Sequence, residues 1–89
     1  MQNMKVKQSV EYNGKRYTLP FLVAKESLST KEHTVTNRFS GESCTLPAFA
    51  VAVYDVIIGA EMLEGYKTVR QGLDWFAKHF TKEYMVLLD

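Results

Sequence analysis

At 89 residues the chain falls below the usual size of one domain, which excludes a second. Hydrophobic residues make up 46% and aromatics 12%, enough for a core and too many for a disordered chain. A formal net charge of +1 excludes an argument for nucleic acid or anionic membrane from overall charge.

Charge is uneven along the chain. Residues 1–45 carry seven Lys/Arg against four Asp/Glu, and residues 46–89 carry four against six, a pattern that ordinary solvated surfaces share. The single cysteine, Cys44, rules out an internal disulfide, and with two histidines it makes no zinc site without carboxylates. The start, Met1 to Lys7, is polar and lacks the apolar run of a signal peptide. The longest apolar stretch, Leu46 to Ile58, is interrupted by Asp55 and too short to span a bilayer. The expected location is the cytoplasm.

In chain order, Val6–Glu11 and Lys15–Val23 read as strands joined by Asn13-Gly14, the strongest local signal for a hairpin. Pro20 cannot donate to a ladder and belongs at an edge or bulge. Lys25–Thr36 reads as polar loop, with Glu32–Thr36 a possible third strand, and Asn37–Ser43 as a turn leading to a helix. That helix is expected from Thr45-Leu46-Pro47, with Thr45 as cap and Gly65 as its end. Leu46, Phe49, Val53, Val56, Ile57, Ala60 and Leu63 share one face, Val51, Tyr54, Ile58 and Met62 a flank, and Ala48, Ala52, Asp55 and Gly59 a narrow strip of small residues. The small strip predicts close packing by another backbone, from a strand or a second subunit. A second helix is expected over Lys67–His79 and a short closing helix over Lys82–Leu88, capped by Thr81. The expected architecture is α+β: an N-terminal hairpin or small antiparallel sheet (about 4–36) packed on two to three C-terminal helices (about 45–89), one domain over 1–89.

Chemistry-bearing patterns are sparse. Cys44 before a helix start would have a lowered pKa, but neither His33 nor His79 stands at a spacing that makes it the base. Gly41-Glu42-Ser43-Cys44-Thr45 lacks the second glycine of a nucleophile elbow. Asp55 interrupts the apolar helix; either it marks the solvent edge, or it is buried and needs a partner such as Arg38 or Arg70. Glu61, Glu64 and the histidines form no metal-ligand spacing, and no metal or cofactor is expected. Ser40, Gly41 and Ser43 before a helix N-terminus, with Lys15 and Arg16 on the hairpin, are the candidate phosphate contacts. Glycine-loop fingerprints for nucleotides are missing.

The segments Asn37–Ser43, Leu46–Phe49, Val53-Tyr54-Asp55, Ile58–Glu61, Tyr66–Thr68, Gly72–Phe76 and Lys82–Tyr84 resemble a group of small uncharacterised bacteriophage proteins. The resemblance covers roughly residues 37–89, leaves out the hairpin, and implies a phage source while transferring no activity. The functional expectation is a non-enzymatic interaction protein, binding one host or phage protein or a second copy of itself. Its candidate contacts are Arg38, Phe39, Tyr54, Asp55, Tyr66 and Trp75, since aromatics and Arg carry most interface energy. The alternative is a nucleic-acid or nucleotide binder using the basic hairpin and the 37–45 turn.

Overall fold

The computed structural model describes residues 7–88. Two antiparallel hairpins, β1 (Ser9–Tyr12) with β2 (Lys15–Thr18) and β3 (Glu32–Thr36) with β4 (Ser43–Pro47), lead into helices α1 (Ala48–Met62), α2 (Tyr66–His79) and α3 (Thr81–Leu87). This is the α+β order that the sequence predicts.

Asn13 and Gly14 take φ values of 51° and 77°, the two positive angles that a tight two-residue hairpin needs. The strands are shorter than expected. Val6 lies outside the described residues, and β2 ends at Thr18, so Pro20 falls past the ladder. Beyond the strands the Gln8 side chain substitutes for a ladder rung. Its Nε2 donates to the Val23 carbonyl at 2.9 Å and its Oε1 accepts the Val23 N–H at 2.8 Å, which holds the exit segment back against the hairpin.

The third strand forms as β3, but Ser43–Thr45, expected as turn and cap, belong to β4. The period of two decides the matter: Cys44 and Leu46 face inward while Ser43 and Thr45 are exposed. Backbone bonds from Asn37 N–H to Glu42 O and from Ala48 N–H to Lys31 O fix the hydrogen-bonded pairs at odd residues of β3. Pro47 pairs with Glu32 at a non-bonded position, so its missing N–H costs the ladder nothing. The chain turns through Arg38–Gly41, with Gly41 at φ 80°. Asn37 clasps this turn: its Oδ1 accepts the Phe39 N–H at 2.8 Å, while its Nδ2 donates 2.8 Å to the Val86 carbonyl of α3.

Helix α1 starts at Ala48 with Pro47 in the cap position, so Thr45 is not its cap. At its other end Glu64, not Gly65, adopts the left-handed angle (φ 58°). The Gly65 N–H bonds Ala60 O at 2.8 Å and the Glu64 N–H bonds Glu61 O at 3.2 Å, the paired closure of a Schellman ending. Thr81 likewise caps nothing: its hydroxyl donates back to the Ala77 carbonyl at 2.7 Å.

One core joins both halves. Tyr17 and Leu19 from the first hairpin, Leu46 from β4, Phe49, Ala50, Val53 and Ile57 from α1, Trp75 and Phe76 from α2, Phe80 from the α2–α3 junction and Leu87 from α3 are buried together. Its centre is aromatic: Tyr17 stacks on Phe80 (5.5 Å, 19°), while Phe49 meets Trp75 and Phe80 edge-on. The Trp75 indole N–H donates 2.7 Å to the Thr18 carbonyl, which ties α2 to the edge of the first hairpin. Where α2 crosses α1, Gly72 is buried, and a β-carbon there would stand 2.4 Å from Ile57 Cγ1 and 3.3 Å from Phe21 Cε2.

Candidate interaction surface

The six residues expected to carry an interface do not share one surface. Arg38 and Phe39 lie at the tip of the second hairpin, with Phe39 94% exposed. Tyr54 is half-buried on α1 against Phe76, at 6.5 Å between rings. Tyr66 is exposed at the start of α2. Trp75, a candidate contact, is a core residue. Its indole fills the aromatic cluster and its N–H is spent on Thr18. On α2 it shares the core-facing side with Gly72 and Phe76.

Asp55 is exposed, and among the described residues neither Arg38 nor Arg70 pairs with it; the ion pair found there is Arg16–Glu11, at 3.9 Å. Partial desolvation on the helix wall raises the Asp55 pKa above the usual carboxylate value. The small strip on α1 is not covered by a strand. Ala48, Ala52 and Asp55 instead border an open groove of about 420 Å³, closed on its other sides by Glu26 and Ser27 of the short Lys25–Ser27 turn and by His33, Thr34 and Val35 of β3. A β-carbon on Gly59 would meet empty space.

Two large apolar side chains that the helical pattern assigned to α1's buried sides are exposed, Met62 at 80% and Leu63 at 84%. They flank the Schellman turn, and Tyr66 follows three residues later at 69%. The helical period extends the apolar stripe to the end of α1, about a turn past Ile57, the last residue of the helix that is buried.

The geometry for a phosphate at a helix start is overturned. Ser40 and Gly41 sit at the hairpin tip, and Ser43 opens β4, so a five-residue strand separates the turn from α1. The first two N–H groups of α1 are already taken, Ala48 by Lys31 O (2.8 Å) and Phe49 by Ser29 O (3.0 Å). Lys15 and Arg16 are exposed, but Tyr17 beside them is buried, with the Lys15 ammonium 5.1 Å from its ring centre, so it cannot stack on a base. Cys44 stands in a strand rather than before a helix. Burial, and then the nearby Glu83, raise its thiol pKa, the reverse of an activated nucleophile.

Among the described residues no group of His, Cys, Asp and Glu could hold a metal ion, and no helix is long and apolar enough to cross a membrane. The chain matches no protein-family model, and neither a curated protein nor a solved structure shows significant similarity to it.

Proposed function

We propose that the chain is a non-enzymatic interaction protein, of bacteriophage source, that docks one protein partner. The observation that carries this reading is the apolar corner of Met62, Leu63 and Tyr66. Among the described residues they are three of the six exposed large apolar side chains, the others being Leu22, Phe39 and Met85, and these three fall within five residues at the α1–α2 turn. Rimmed by Glu61, Glu64 and Lys67, the corner has the composition of a contact patch, with an apolar centre and charged edges. The resemblance of residues 37–89 to small phage proteins supports the source. The raised Cys44 pKa and the occupied helix start weigh against a thiol enzyme and a phosphate site.

The test compares the wild type with Leu63→Ser/Tyr66→Ser. Both sites are exposed, so each substitution should stay within about 0.5 kcal/mol, or about 2–4 °C in melting temperature for a domain of this size. A partner identified by crosslinking and then purified should lose at least tenfold in affinity for the variant. Light scattering on the chain alone reads self-association through the same corner. A partner whose affinity ignores the substitution refutes the reading, and so does binding that instead collapses with salt and needs Lys15 and Arg16.

A further inference from the structure

The β3–β4 register leaves one edge of β3 unused. Odd residues of β3 spend their N–H and C=O groups on β4, so those of Glu32, Thr34 and Thr36 point the other way. These outward groups have no hydrogen-bond partner among the described residues, and all three residues are exposed. An edge strand in this state is a template for another strand. It borders the groove along α1, where Ala48 and Ala52 leave depth and the two carboxylates on the lining, Glu26 and Asp55, have no ion-pair partner among the described residues.

We propose that this edge receives an extended segment of the partner protein as an added antiparallel strand. A Lys or Arg of that segment would lie between Glu26 and Asp55. The assignment rests on the interaction reading above and names the partner's chemistry: an extended, cationic peptide. Strand addition supplies affinity through main-chain bonds and selectivity through alternate side chains, and here the selecting charge is negative. A second copy of this chain fits less well. Its own edge, Glu32–Thr36, carries a glutamate and neither Lys nor Arg, so self-pairing would leave both groove carboxylates uncompensated.

The probe is a capped synthetic peptide of alternating Thr and Val with one central Lys, compared with the same peptide bearing Glu. Binding is followed by amide NMR shifts and by hydrogen exchange at Thr34 and Thr36. The Lys peptide should bind and protect both amides, and the Glu peptide should bind at least tenfold more weakly. Asp55→Asn and Glu26→Gln should each weaken the Lys peptide about two- to fivefold, the range of partly exposed ion pairs. Thr34→Pro removes one outward N–H and no β3–β4 bond, so it should abolish the protection that the peptide gives the Thr36 amide while the native spectrum persists. Equal binding of both peptides, binding that leaves Thr34 unprotected, or no binding at millimolar peptide overturns the assignment. So does concentration-dependent protection of Thr34 without peptide, which would give the edge to a second copy. If the peptide fails while Leu63→Ser/Tyr66→Ser still releases the purified partner, strand addition alone falls and the interaction reading stands.

Discussion

Replacing Gly72 by Ala sets two effects against each other, and their sizes decide the outcome. Intrinsic helix propensity favours Ala by about 0.8–1.0 kcal/mol. Against this, the new methyl would lie 2.4 Å from Ile57 Cγ1 and 2.8 Å from Cδ1, where carbon pairs rest at about 3.5–4.0 Å. Ile57 is fully buried on α1 and Cγ1 lies inside its chain rather than at the tip, so relieving the clash takes a χ1 change within a packed core. Overpacking of this kind costs about 1–3 kcal/mol. The net expectation is a loss of about 1 kcal/mol, or roughly 4–8 °C in melting temperature for a domain of this size. Urea unfolding of Gly72→Ala, Ile57→Ala and the double variant measures the coupling. Once Ile57 is shortened to Ala, Gly72→Ala should turn neutral or stabilising; Ile57→Val, which removes Cδ1 and keeps Cγ1, should relieve only part of the penalty. An unchanged penalty in the shortened background, or a Gly72→Ala protein as stable as wild type, would refute the argument from close helix approach.

Trp75→Phe removes the indole bond to Thr18 and part of the core volume. It should cost about 1–3 kcal/mol, with the amides of the first hairpin losing exchange protection before those of the helices. Glu64→Gly relieves a left-handed residue, a strain of about 1–2 kcal/mol that the added freedom of Gly in the unfolded chain partly offsets. A rise of about 0.5–1 kcal/mol in thermal unfolding is expected, and a less stable variant would contradict the assigned turn. His79 lies against Tyr17 and Trp75 with its Nδ1 buried and without a hydrogen-bond partner among the described residues; burial first, then Lys15 and Lys78, lower its pKa. The unfolded chain therefore takes up this proton more readily than the fold. The contribution is fully present above pH of about 6.5 and is lost as pH falls through the depressed folded value. Urea midpoints between pH 7 and 5 should fall in the wild type and fall less in His79→Phe.

Much of the fold is legible in local chemistry. Asn13-Gly14 dictates its hairpin because both positions need positive φ, and the helices announce themselves by apolar spacing over 14 or 15 residues. The passage from Ser43 to Pro47 is not legible in this way. Leu46 satisfies the period of two with Cys44 and the helical period with Phe49 and Val53, and Ser and Thr serve strands and caps alike. Only the Lys31 and Ser29 carbonyls, which occupy the first N–H groups of α1, settle where strand gives way to helix. Gln8 and Asn37 were illegible for a related reason. Each acts through an amide bonded to backbone 15 or 49 residues away, and no local pattern encodes that distance. For the surface, composition picked aromatic residues without their direction. Tyr66 and Phe39 face out and Trp75 faces in, which depends on what α2 packs against rather than on residue type.

The placement of the chain's lone tryptophan has a spectroscopic consequence. Trp75 sits at the seam between hairpin and helices, with its N–H on Thr18 and its ring 5.3 Å from the His79 imidazole. Its emission therefore reports the docking of the first hairpin. Detachment of that hairpin would shift the emission to the red while the helical circular dichroism remained, and protonation of His79 would quench it. The two halves can thus be followed separately in solution without attaching a label.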